Sequence, residues 1–131
     1  MRSIISQSIV LPAPASLLFD MYMDASQHAA FTGHPVIIGE QSGAEFRAFD
    51  DMLTGTILMV IRPRLIVQSW RSLNFHRDDP DSTLILLFEE QGEDGRIDLV
   101  HLDVPESDYD GVIEGWEKFY WTPWRDYLNA Q

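Results

Sequence analysis

The sequence predicts an α+β domain in which a curved antiparallel sheet clasps a long C-terminal helix. Three observations carry this. Six segments of strand length, rich in β-branched and aromatic residues, follow one another between positions 36 and 104. The links between them are mostly two to five residues, lengths that join antiparallel neighbours and cannot hold a parallel crossover. The only long amphipathic stretch is the last, after Pro105, and a sheet with one apolar face needs such a cover.

Taken in order, residues 2–11 place Ile5, Gln7, Ile9 and Leu11 on one face and Ile4, Ser6, Ser8 and Val10 on the other, the pattern of a strand. Pro12 lacks an N–H and ends the ladder, as suits an edge strand. Pro14 and Ser16 open a dense apolar turn, Leu17, Leu18, Phe19, Met21 and Tyr22, which predicts a short helix to about Met23. Asp24 is a good N-cap for a second short helix over 25–31, containing His28 and Phe31 and stopped by Thr32-Gly33.

Strands are expected over 36–39, 44–49, 55–61, 65–71, 83–89 and 96–104. Turn residues separate them at Gln41-Ser42-Gly43, Asp50-Asp51, Arg62-Pro63-Arg64 and Gly92-Glu93-Asp94-Gly95. The longer loop 74–81 is polar apart from Phe75 and reads as the lip of a cavity. Glu106, Asp108 and Asp110 then favour a helix N-terminus. Beyond them Val112, Trp116, Phe119, Tyr120, Trp124, Tyr127 and Leu128 recur at spacings of three and four, a broad aromatic stripe. Pro123 removes the hydrogen bond to the Phe119 carbonyl, which predicts a kink or wide turn near residues 121–122. Gly111 and Gly115 are expected to let the helix approach the sheet closely.

Composition narrows the function. The 131 residues, 1–131, read as one domain able to bury its own core. Without cysteine there is no disulfide framework and no thiolate zinc site, which points to the cytoplasm. The N-terminus alternates in polarity where a signal peptide would be continuously apolar. No window approaches the roughly 18 apolar residues of a membrane-spanning helix. A net charge of −12, with nine scattered Lys and Arg, argues against nucleic acid and anionic membrane surfaces as partners. The segments 57–61 and 84–88 are apolar on both faces. Either the short helices cover part of the outer face or two chains pair there, so a homodimer is a candidate assembly.

The order of one strand, two short helices, six strands and a long helix is that of the helix-grip fold. Ala30-Phe31-Thr32-Gly33, Gly43-Ala44-Glu45-Phe46, Thr54-Gly55-Thr56, Arg62-Pro63 followed by Ile66-Val67-Gln68-Ser69-Trp70-Arg71, Asp103-Val104-Pro105, Gly115-Trp116 and Tyr120-Trp121 followed by Pro123-Trp124 stand in sequence. With these residues the chain resembles the family of homologues of the activator of heat-shock-protein-90 ATPase, within the START-like or SRPBCC superfamily. The resemblance implies a cavity between sheet and helix, with Trp70 turned toward it. It also implies a possible chaperone partner. The eukaryotic co-chaperone carries an additional N-terminal domain for which these residues have no counterpart, so ligand binding is the leading expectation.

Bulky groups that could line such a cavity are Phe19, Met23, Phe31, Phe46, Phe49, Trp70, Phe88, Leu99, His101, Trp116, Tyr120 and Trp124, with Met52 beside them. They suit a small hydrophobic molecule. As a catalytic pair, His101 and Asp103 lie two apart on the last strand, where a carboxylate could orient an imidazole as a base on the inward face. With such a base, the superfamily resemblance implies as an alternative a cyclase- or hydrolase-type enzyme acting on a polyketide-like substrate. His28, His34 and His76 lack the spacing of a metal site, Asp78-Asp79-Pro80-Asp81 lacks the glycine of a calcium loop, and no Gly-x-Ser-x-Gly appears. No metal and no cofactor is expected.

Overall fold

In the computed structural model, which describes residues 2–131, the chain runs β1 (Arg2–Leu11), α1 (Ala15–Met23), α2 (Ala25–Thr32), β2 (Val36–Ile37), β3 (Glu45–Ala48), β4 (Leu53–Ile61), β5 (Leu65–Ser72), β6 (Ser82–Gln91) and β7 (Asp94–Pro105). A 3₁₀ turn, Glu106–Asp108, leads into the C-terminal helix, made of α3 (Tyr109–Gly115), a π-helical segment (Trp116–Trp121) and α4 (Thr122–Asn129). The strands form one seven-stranded sheet in the order β1-β7-β6-β5-β4-β3-β2, every pairing antiparallel. Consecutive strands from β2 to β7 are neighbours, as the short links require, and β1 returns to the free edge of β7.

Local chemistry accounts for the helix ends. The Asp24 carboxylate accepts from the Gln27 N–H at 2.9 Å, and Gly33 closes α2 in the left-handed region at φ 80°. β2 is shorter than the expected 36–39, with only two residues paired to β3.

Period-two alternation sends Phe46, Ile66, Leu84, Leu86, Phe88, Ile97 and Leu99 to one face of the sheet, where all are buried. The short helices lie on that same face. Phe19 of α1 meets Phe88 edge-on at 5.4 Å, and Phe31 of α2 stacks on Trp124 at 4.1 Å. They therefore leave the outer face bare, and Met59, Ile61 and Leu87 remain about half exposed there.

The C-terminal helix answers to Pro123 one turn upstream of it. The Thr122 N–H bonds to the Glu117 carbonyl, five residues back, so the wide turn occupies Trp116–Trp121 while the backbone stays right-handed through both junctions. The local period lengthens, and Trp121 swings into the core beside Trp116, stacked at 5.4 Å, with its indole N–H donating to Gln7 Oε1 at 2.8 Å.

Two irregularities shape the region of the site. At 49–51 the β3–β4 turn holds Phe49, Asp50 and Asp51 all in the left-handed region, at φ 54°, 54° and 66°. On β7, Asp103 sits at φ 61° beside the bulge that shifts the β1 register between Ser3 and Ile5. The bulge overturns the expectation of an inward His101–Asp103 pair. Asp103 points outward, is exposed, and lies 3.7 Å from Arg2 Nε. Alternation past His101 fails because the extra residue resets the faces of the strand.

Candidate functional site

A cavity of about 500 Å³ lies between the C-terminal helix and the β2–β5 end of the sheet. One wall is helical, where Asp108, Gly111, Val112, Gly115, Trp116, Phe119 and Tyr120 recur at spacings of one, three and four and so share a face. The opposite wall is Leu53 of β4 with Trp70 and Ser72 of β5. The rim is His34, Phe49, Asp50 and Met52, with Asn74 from the loop after β5.

Of the residues named from sequence, Phe49, Trp70, Trp116 and Tyr120 line this space, as does Met52. Phe19, Met23, Phe31, Phe46, Phe88, Leu99 and Trp124 are buried core side chains outside the lining. They pack the grip at the far end, where α1 and α2 fill the space between helix and sheet. Phe49 reaches the cavity by the left-handed turn and not as part of a strand. There it contacts His34 at 5.0 Å, Phe119 at 5.6 Å and Tyr120 at 5.7 Å between ring centroids. The two glycines also differ from expectation. Instead of meeting the sheet, a Cβ on Gly111 would meet Asp108 Oδ1 at 2.6 Å, and one on Gly115 would meet only Phe119 Cδ2, at 3.7 Å. Both residues hold the cavity open.

Behind the aromatic wall stand two buried imidazoles. The Trp116 indole N–H donates to His101 Nδ1 at 3.3 Å, which obliges His101 to carry its proton on Nε2 and donate to Ser82 Oγ at 2.8 Å. Ser82 Oγ–H in turn donates to the Trp70 carbonyl at 2.6 Å. Burial pushes the His101 pKa down to about 3. Both ring nitrogens are engaged, so His101 positions Trp116 and strand β5 and has no lone pair free for a base.

His28, which no sequence pattern marked, is the second hub. Its Nδ1–H donates to the Tyr22 carbonyl at 2.8 Å, and its Nε2 accepts from the Tyr120 hydroxyl at 2.9 Å. Burial lowers its pKa to about 4, although the bond to the Tyr22 carbonyl pulls upward. Burial also raises the Tyr120 phenol, which stays a neutral donor. Tyr22 Oη–H donates to Gln68 Oε1 at 2.6 Å, tying α1 to the sheet. These bonds fix the orientation of Tyr120 and Trp116 against the cavity.

Other lining groups are not so engaged. Trp70 is 6% exposed, and its indole N–H has no acceptor among the described residues. Asp108 is half-buried, and burial raises its carboxyl pKa. The rim loop is held firmly. Arg71 donates to the carbonyls of Asp79 and His76 at 2.7 and 2.8 Å and to Asp81 Oδ1 at 3.2 Å, and its guanidinium lies over Phe75 at 5.8 Å. Among the described residues no group of three His, Asp or Glu is placed to hold a metal ion, and no helix is long and apolar enough to cross a membrane.

A curved antiparallel sheet around a C-terminal helix, with two short helices after the first strand and space left beneath the helix, defines a START-like helix-grip domain. The chain belongs to the family described as "Activator of Hsp90 ATPase homolog 1-like protein", whose model matches residues 12–128. No curated protein matches the sequence. Among solved structures it is similar to an HSP90 activator from Plasmodium falciparum, with 20% identity, a TM-score of 0.79 and 89% of each chain covered. It is also similar to a protein from Mesorhizobium loti, with 14% identity, a TM-score of 0.83 and 98% of each chain covered. A protein from the dynemicin biosynthetic locus matches with 15% identity and a TM-score of 0.79, over 96% of this chain and 47% of that one. At these identities the likeness is one of fold.

Proposed function

We propose that this domain is a binding module that holds a small hydrophobic molecule in the cavity between sheet and C-terminal helix, without transforming it. The observation that carries the reading is the cavity itself. Its volume of about 500 Å³ falls in the range of small-molecule sites, and Phe49, Trp70, Trp116, Phe119 and Tyr120 give it flat apolar walls.

The test is a titration with N-phenylnaphthylamine, a neutral probe whose emission rises in apolar surroundings. Enhanced emission with the wild-type protein is expected, and its loss in Gly115→Leu, because an isobutyl group there has only Phe119 within reach and enters the cavity. Gly115→Ala serves as a folding control. Its backbone is ordinary helix, at φ −63° and ψ −39°, and alanine there should raise stability by about 0.5–1 kcal/mol. A wild type that leaves the probe dark, or a Gly115→Leu variant that binds it equally, refutes the reading.

A second reading, a module that docks on a chaperone of the heat-shock-protein-90 class, is favoured by the family and by the likeness to the Plasmodium activator. Failure to co-purify with a bacterial homologue of that chaperone would remove it. An enzyme acting on a polyketide-like substrate has the dynemicin-locus neighbour in its favour. It also needs a base, and His101 has both ring nitrogens engaged.

A further inference from the structure

The charged groups of the cavity narrow its ligand further. The inference rests on the ligand-binding reading above. Among the lining residues the charged side chains are Asp50 and Asp108, the other titratable ones are His34 and Tyr120, and none is Lys or Arg. Lys118 lies over the Phe119 ring at 5.3 Å without belonging to the wall, and Arg71 is engaged by the loop carbonyls. Neither Asp50 nor Asp108 has an ion-pair or hydrogen-bond partner among the described residues, and Asp108 does not cap the helix that begins beside it. A half-buried carboxylate without a counter-ion is an uncompensated charge, and burial raises its pKa accordingly.

We infer that the cavity takes a flat apolar molecule carrying a protonated amine, its ring body against Trp116, Tyr120 and Trp70 and its ammonium at Asp108, with Asp50 on the opposite rim. The length suits such a molecule. Asp108 and Trp116 stand eight residues apart on one helical wall, about 12 Å of helix axis at the usual rise. The aromatic faces favour the same sign, since a ring quadrupole attracts a cation and not a carboxylate. The net charge of −12 adds a long-range field of that sign. Fatty acids and other anionic amphiphiles meet repulsion from both carboxylates and find no cation in the wall.

The experiment compares three probes of one shape by calorimetric titration near neutral pH: naphthylmethylamine, naphthalenemethanol and naphthoic acid. The amine is expected to bind about tenfold more tightly than the alcohol, the gain of one charge-assisted contact at a part-exposed site, and the acid more weakly than both. In Asp108→Asn the amine falls to the level of the alcohol measured with the same variant. An acid that binds as tightly as the amine overturns the inference, as does an amine preference that survives in Asp108→Asn and in Asp50→Asn alike. Equal binding of amine and alcohol by the wild type overturns it while leaving the hydrophobic-ligand reading standing. Failure of all three probes to bind overturns both.

Discussion

The two buried imidazoles make a quantitative demand on how this protein responds to acid. In the unfolded chain an imidazole titrates near its ordinary value of about 6.5. In the folded chain burial holds His28 to about 4 and His101 to about 3. Below about pH 6.5 the unfolded state therefore binds protons that the native state refuses, and stability must fall with pH. The loss runs at about 1.4 kcal/mol per pH unit for each imidazole and ends only as the pH reaches the folded value. By about pH 5 each group has cost about 2 kcal/mol, a large share of the 5–15 kcal/mol that a domain usually has. The carboxylates also titrate in this window, and their neutralisation relieves the repulsion of a chain at −12, so the wild-type curve alone mixes both signs. His101→Gln separates them. Glutamine supplies one acceptor for Trp116 and one donor for Ser82 without a proton to gain, and every carboxylate is unchanged. Urea unfolding followed by tryptophan fluorescence, at about pH 7.5 and about pH 5, should show the variant losing about 2 kcal/mol less than wild type across the interval. His28→Gln should behave in the same way. Parallel losses in wild type and both variants would refute the assignment of these histidines as buried neutral hydrogen-bond hubs.

Two further outcomes test the irregular parts of the fold. Asp51→Gly relieves a left-handed residue at φ 66° and loses only an exposed ion pair with Arg47 at 3.4 Å, so a thermal melt should rise, by up to about 1 kcal/mol in stability; a fall would mean that the turn is not strained. Gln7→Leu leaves the buried Trp121 indole N–H without its acceptor at 2.8 Å and should cost about 1–3 kcal/mol in chemical unfolding; an unchanged midpoint would show that the π-helical turn does not depend on that bond.

What the sequence made legible, and what it did not, follows from the range of the interactions involved. Alternation in 65–71 and in 96–104 as far as His101, the Asp24 cap and the aromatic stripe depend on neighbours a few residues apart, and each is realised in β5, β7, α2 and the C-terminal helix. Pro123 is the same kind of signal. It announces a missing donor, but how the helix absorbs the loss depends on what the indoles of Trp116 and Trp121 meet across the sheet, at His101 and at Gln7. A strict 3.6 period leaves Trp121 off the stripe, and only the longer period of the π-helical segment brings it inside.

The site lies almost wholly in the second category. Phe49 belongs to the cavity because three successive non-glycine residues adopt a conformation that none favours, and Asp103 leaves the inner face because a bulge inserts one residue. Neither departure has a glycine to announce it. Gly111 and Gly115 did carry a readable sign, two missing side chains on one helix face beside Asp108 and Phe119, but their spacing fits close packing as well as empty space. What separates the two is the opposite wall. Trp70 meets the helix at Trp116, with ring centroids 6.2 Å apart, and the space of about 500 Å³ opens beside that contact, while α1 and α2 fill the other end of the grip with Phe19, Phe31 and Tyr22. The cavity thus depends on how the rest of the grip is filled, and cutting back Phe31, which stacks on Trp124 of the same helix outside the lining, is expected to alter the site without touching its walls.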